Sequence, residues 1–484
     1  MKKLNFIIKY GLALLLLSFY SCESWLNVTP SDRLSEEMLF NDREGFVKAL
    51  NGVYIELNTN ELYGRNLTAG ALDVMGQYYS VASSSHAFYN YGGLVYTGND
   101  EKALFDNMWQ KCYAVIACCN TIIEKCDENK AGLSPVWRGS IKGEALALRA
   151  MLHFDMLRLF GPLTSELDKE SIPYQTNSDQ TVTPLLSGSE VVGLILDDLK
   201  NAVGLLKDTD PYFVEEEFSD TDLNYRRFRM NYFAAKGLMA RVQLWGGDKE
   251  KAAATAKEVI AEGQAEGAEF FPFVTNSEAT SSNPDRVFYS EVLFGTYHSS
   301  REKLHEDLFA PTLESTSILT LAGTARRDDL YDNENDYRYS VWSTYNKNGT
   351  SVLYHRKFEK QDNVTASRQY MIPLIRMSEM YLIAVECCKL DEASVYLNTF
   401  RNARNCNSLA LTEDNRINIL ANEYKKEMLG EGQLFFFYKR QEMVNISDGN
   451  QATGTKNVEL AKYVVPLPES ETDQRISSTD ISNE

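Results

Sequence analysis

Histidine is scarce in this chain, with five in 484 residues. That leaves few imidazole bases or metal ligands. Basic residues are short as well: 49 Lys and Arg stand against 68 Asp and Glu, for a net charge of −19 at pH 7. Phosphate binding depends on clustered Lys and Arg, so a chain this acidic is a poor candidate for nucleic acid, and none is expected. Anionic lipid repels such a chain unless a covalent anchor holds it. Signatures of common catalytic and cofactor sites are missing too. There is no GxGxxG, no HExxH, no GxSxG and no P-loop GK dipeptide in its glycine frame. With 24% charged and 44% hydrophobic residues, the chain is neither disordered nor fibrous, and it is long enough to bury a sizeable core.

Long hydrophobic runs are confined to the start. Gly11 to Tyr20 is a ten-residue apolar run behind Lys2, Lys3 and Lys9. A spanning helix needs about 20 such residues, so the run fits the core of a secretory signal instead. Ser21-Cys22 follows at once and resembles the lipobox of bacterial lipoproteins. This predicts a signal peptide over 1–21 and lipidation of Cys22, with acyl chains rather than polypeptide holding the membrane. Of the other cysteines, Cys112, Cys119 and Cys126 recur at one-heptad spacing, so they share a helix face. Cys118-Cys119 and Cys387-Cys388 are vicinal, which suits neither a normal bridge nor a CxxC metal site. They read as small buried hydrophobes, together with Cys406.

Apolar periodicity predicts helices in pairs. Asn41 to Leu57 opens on Asn41-x-x-Glu44, a pattern like a capping box. Further helices are expected over Lys102–Glu128, Pro135–Phe160 and Glu190–Leu206, with Gly161-Pro162 stopping the third. Two segments repeat one helix–turn–helix design. They are Tyr232–Trp245 with Lys249–Glu262, and Leu374–Lys389 with Glu392–Arg404. One pair cannot bury its own apolar face, so such pairs stack, as tetratricopeptide units do. The fold class expected is mainly α, a tetratricopeptide-like helical scaffold with long loop-rich insertions carrying short strands. The insertions are 58–100, 207–230 and 264–372, rich in Tyr, Asn, Gly and Ser.

Candidate metal ligands are weak. His298 and the run His305-Glu306-Asp307 point different ways on a helix and read as a solvated face. The acids and amides from Asp328 to Asp336 lack EF-hand spacing and read as a solvated turn. No metal and no cofactor are expected. Aromatic clustering is stronger. Tyr78, Tyr79, Phe88, Tyr89, Tyr91 and Tyr96 crowd one loop; Tyr331, Tyr337, Tyr339, Trp342, Tyr345 and Tyr354 crowd another. Flat rings with polar tips suit the C–H faces of sugars, although each Tyr taken alone also fits scaffold packing.

The order of several blocks then resembles the SusD/RagB family of outer-membrane nutrient-binding lipoproteins. After Cys22 come Trp25-Leu26-Asn27-Val28-Thr29-Pro30, then Ala49-Leu50-Asn51-Gly52-Val53-Tyr54. Glu144 to Ala150, His153-Phe154-Asp155 and Leu159-Phe160-Gly161 match the family's most recognisable block. Ile172-Pro173-Tyr174, Asp197-Asp198-Leu199, Pro373 to Arg376, Glu379 to Ile383, Leu397-Asn398 and Arg401 follow in order. Glu423, Glu427, Glu431-Gly432, Arg440 and Pro466-Leu467-Pro468 are retained. Phe435 to Tyr438 replaces a usual aromatic-Asp-Leu stretch, and the closing Asn-rich motif is missing.

The resemblance implies an N-terminal region over 22–230 and a C-terminal region over 231–484, interlocked as one unit. It implies a surface-exposed lipoprotein of the outer membrane that binds oligosaccharide, peptide being less favoured. Its partner would be a SusC-like TonB-dependent transporter. It implies no enzyme activity. The ligand face is expected on Asp73, Tyr78, Tyr79, Tyr89, Tyr91, Trp342 and Tyr345, with Trp342 the leading stacking ring. Two other classes stand beside it: a secreted glycan-cleaving enzyme using paired carboxylates, and a helical scaffold that binds only protein.

Overall fold

The computed structural model describes residues 36–475, apart from 180 and 474. The signal peptide, Cys22, the segment from Trp25 to Pro30 and the tail beyond 475 lie outside the described residues. Eight helices form the scaffold. They are α1 (Arg43–Glu56), α2 (Asn99–Glu128), α3 (Pro135–Phe160), α4 (Gly188–Thr209), α5 (Tyr232–Trp245), α6 (Lys249–Gly263), α7 (Met377–Cys387) and α8 (Leu390–Ala403). Each packs on the next. The pairs α2–α3, α5–α6 and α7–α8 are joined by short turns, the tetratricopeptide-like arrangement. Helices α9 (Arg416–Glu427) and α10 (Gln433–Arg440) close the end of the stack against α7.

Local chemistry explains the bounds. Ser134 accepts from the Trp137 N–H and Pro135 fills the first turn of α3. Asn231 accepts from Ala234 N–H at the start of α5, and Asp248 from Lys251 N–H at the start of α6. The start of α1 differs from expectation. Asp42, not Asn41, is the N-cap, accepting from Gly45 N–H at 2.9 Å. The start of α7 is also later than expected, because Met371–Arg376 is extended and forms a strand.

Buried charge ties α3 to its surroundings. Arg149 of α3 forks onto Asp198 of α4 at 2.7 and 2.6 Å. Asp155 takes Arg158 and the Tyr63 hydroxyl. Cys112, Cys119 and Cys126 are buried, but Cys118 is exposed. One hydrophobic cluster runs from Phe40 to Val465, so the two halves of the chain share a core. No helix among the described residues is long and apolar enough to cross a membrane.

The insertions carry short two-stranded sheets. β1 (Val292–Tyr297) pairs antiparallel with β4 (Met371–Arg376), beneath α5. β2 (Trp342–Lys347) and β3 (Thr350–His355) form a regular antiparallel hairpin. Its turn is Asn348-Gly349, both at positive φ (52° and 87°). That geometry strongly favours Asn-Gly, and it makes this dipeptide a hairpin signal that the aromatic clustering had hidden.

Candidate functional site

Three stretches of chain converge on one loop-built face. The segment 312–320 runs through its middle. On one side, Ser80 N–H donates to Thr320 O at 2.7 Å and Ala87 N–H to Thr316 O at 3.1 Å. On the other, Thr320 Oγ1 donates to Leu353 O at 2.6 Å, and Lys347 Nζ donates to Leu313 O at 2.9 Å. The 80–96 loop and the β2–β3 hairpin are therefore both strapped to the same backbone. This segment was not singled out from the sequence, which offers no motif there.

His86 fixes the loop. Its Nε2 lies 3.2 Å from Ile318 O, and Phe88 N–H donates to its Nδ1 at 3.1 Å. A carbonyl only accepts, so Nε2 carries the proton and Nδ1 is the acceptor. Burial holds the imidazole below its ordinary 6.5, against the carbonyl, which raises it. The ring is thus neutral at pH 7, as this pair of bonds requires.

Two of the aromatic residues expected to stack lie open on this face. Tyr89, on the turn Tyr89–Gly92, is 44% exposed, and Tyr345 of β2 is also 44% exposed. Around them are exposed Ser83, Ser84, Ser85 and Ser315, and Thr350 shares the Tyr345 side of the hairpin. Charge is present at two points: Lys347 pairs with Glu314, and Lys456 Nζ donates to Gly92 O of the Tyr89 turn at 2.8 Å. Such a surface can stack rings and exchange hydrogen bonds with a neutral hydroxylated chain.

The other five residues expected at the ligand face are in the interior. Trp342 is 5% exposed, packs on His355 at 5.1 Å and donates Nε1–H to Tyr331 OH at 3.3 Å. The cause is strand parity: Trp342 and Tyr345 are three apart, so they point to opposite faces of the hairpin. Tyr78 is buried with its hydroxyl on Tyr424 O at 3.1 Å. Tyr79 is buried against Phe309 at 5.9 Å, and Tyr91 against Phe88 and Phe105.

Asp73 is buried as well, and it is a structural acceptor rather than an accessible contact. Gly430 N–H and Gly432 N–H donate to its carboxyl at 2.6 and 2.9 Å, and Tyr79 OH donates at 3.2 Å. Burial pushes that carboxyl up to about 7, against the three donors. The bend it ties down needs glycine, since Gly432 has φ +70° and a Cβ there would lie 2.3 Å from Leu67 O.

Two further expectations are overturned. His298 and His305 are buried, 9% and 7% exposed, and not part of a solvated face. Nor is the run from Asp328 to Asp336 simply a solvated turn. Asp336 is buried and forks onto Arg338, while Asp332 takes Arg401 and Lys426. Arg338 goes on to Glu423 and Glu427 of α9, at 2.9 and 3.2 Å. Glu427 also takes Arg404 and Arg376, so the base of the hairpin is locked to the C-terminal helices through buried charge. No cluster of three or more His, Cys, Asp or Glu suited to a metal occurs among the described residues.

A tetratricopeptide-like scaffold bearing a loop-built polar and aromatic face defines a class of binding protein, and comparison places the chain within it. A family model described as starch-binding and associating with the outer membrane matches residues 24–244. The SusD family model matches residues 283–476. The chain belongs to the SusD/RagB family. It is 22% identical to a SusD-like protein of Formosa agariphila, over 96% of each chain. In three dimensions it superposes on a SusD-like carbohydrate-binding protein of Bacteroides vulgatus with a TM-score of 0.68 and 21% identity, covering 89% of this chain and 96% of that one. A laminarin-binding SusD-like protein gives a TM-score of 0.64 at 17% identity, covering 89% and 97%.

Proposed function

We propose that this protein captures oligosaccharide at the outer surface of the outer membrane and hands it to a SusC-like TonB-dependent transporter. It acts by binding, without chemistry on the ligand. Cys22 carries the lipid anchor, and 22–230 and 231–484 work as one unit. The ligand lies across the face made by the 80–96 loop, the 312–320 segment and the β2–β3 hairpin, with Tyr89 and Tyr345 as the stacking rings. The observation that carries this reading is the shared backbone strap. It ties together the two loops that carry the exposed Tyr89 and Tyr345. The glycan-binding relatives support the choice of ligand class.

The test is affinity electrophoresis of the full chain in gels containing laminarin, starch or a neutral hemicellulose. Tyr89→Ala and Tyr345→Ala should each weaken retardation by about 5- to 150-fold in affinity, equivalent to about 1–3 kcal/mol for a lost ring. Melting should be unchanged. If both variants bind as wild type does, the face is wrong.

A further inference from the structure

A cavity of about 470 Å³ lies elsewhere, between the end of α1, the first turns of α3, the 210–230 stretch and the end of β1. It shares no lining residue with the loop face. Its size falls within the roughly 300–1,000 Å³ of small-molecule sites. Two aromatic walls bound it. Trp137 and Phe218 meet at 4.6 Å on one side. Tyr225, Phe228 and Tyr297 form the other, with Tyr297 5.2 Å from Phe228 and 6.0 Å from Tyr225.

Much of the polar lining is engaged within the wall. Glu144 at the base is fully engaged, by the Tyr54 hydroxyl at 2.6 Å and by Arg226. Arg226 is engaged in turn by Asp210, at 3.0 and 2.7 Å. Arg229 donates to Asn51 and lies over the Tyr54 ring at 4.5 Å. The Glu144–Arg226–Asp210 group is thus compensated internally, whereas the Arg229 side chain has, among the described residues, only the neutral Asn51 amide as its hydrogen-bond partner. Two lining atoms do lack one: Asn58 Oδ1 and Thr296 Oγ1, the latter on a residue only 2% exposed. Buried polar atoms are almost always paired. These two are covered by the wall itself, so a ring entering the space would meet the two aromatic walls, with Arg229 and Asn51 among the polar lining.

We propose that this cavity is a second sugar-binding site, taking a single ring of a neutral glycan between the two aromatic walls. The choice of a sugar over another neutral ring rests on the glycan-capture reading above. The site itself is independent of the loop face.

The test is saturation-transfer NMR on the full chain with maltotriose, cellotriose and laminaritriose. The double variant Tyr89→Ala/Tyr345→Ala should retain transfer from at least one probe. Adding Tyr225→Ala, a truncation at a 37% exposed position, should weaken that residual binding at least about fivefold, the loss of one ring contact of about 1 kcal/mol. Adding Thr221→Trp, which fills the mouth from an exposed lining position, should abolish it while the protein stays folded. If the double variant alone removes all transfer, the cavity is not a sugar site and the loop-face reading stands. If the double variant binds as wild type and Thr221→Trp removes binding, the cavity stands and the loop-face reading falls. No transfer from any probe to wild type overturns both.

Discussion

Trp342→Ala and Tyr345→Ala sit three residues apart on one strand, yet they should fail in different assays. The Trp342 indole is 95% covered, packed on His355 and bonded to the Tyr331 hydroxyl. Truncating a buried Trp costs about 3–5 kcal/mol through lost transfer energy and the cavity left behind. The stranded Tyr331 hydroxyl, itself buried, adds about 1 kcal/mol more. Tyr345 has 44% of its surface free, so its removal should change stability by less than about 0.5 kcal/mol. For binding the order reverses: Tyr345→Ala loses a stacking ring, whereas folded Trp342→Ala keeps one. Denaturant unfolding and affinity electrophoresis on both variants separate the effects. A Trp342→Ala protein with native stability but no glycan binding would refute the parity argument and return Trp342 to the ligand face.

Three other outcomes follow from the geometry. Cys22→Ala should leave a folded protein that is missing from the detergent-extracted membrane fraction; unchanged fractionation would mean that something else anchors it. Asp73→Asn should destabilise the protein by about 1–3 kcal/mol, because an amide NH₂ would face backbone donors that now have an acceptor, while the folded variant binds glycan normally. A variant of native stability, read by denaturant unfolding, would contradict the role assigned to Asp73. His86 has a folded pKa below its unfolded 6.5, so its contribution is full above pH 6.5 and is lost as pH falls through the lower folded value. Acid should therefore loosen the 80–96 loop and weaken glycan binding, and NMR titration of the His86 ring at or above 6.5 would refute this.

The sequence by itself determined the helices of the scaffold. Pro135–Phe160 and Tyr232–Trp245 are bounded where Ser134-Pro135, Gly161 and Gly246-Gly247 place them, because caps and 3.6-residue periodicity act within a few residues. It also determined the signal-like start, the acidic balance and the pairing of helices. It did not determine which aromatics face water. Tyr78, Tyr79, Tyr89 and Tyr91 are alike in local context. Only the packing of α2, α9, α10, Phe309 and the 316–320 backbone over the loop decides that three are buried and one is open. Trp342 and Tyr345 were separated by strand parity, which needed the Asn348-Gly349 register and the side of the hairpin that meets the core. The same holds for Asp73, Asp332 and Asp336: a carboxylate becomes structural when donors far along the chain, such as Gly430 for Asp73 and Arg401 for Asp332, or a neighbour turned inward, such as Arg338, are brought to it. Exposure and pairing are properties of what the rest of the chain lays against a residue, and only the tertiary structure decided them.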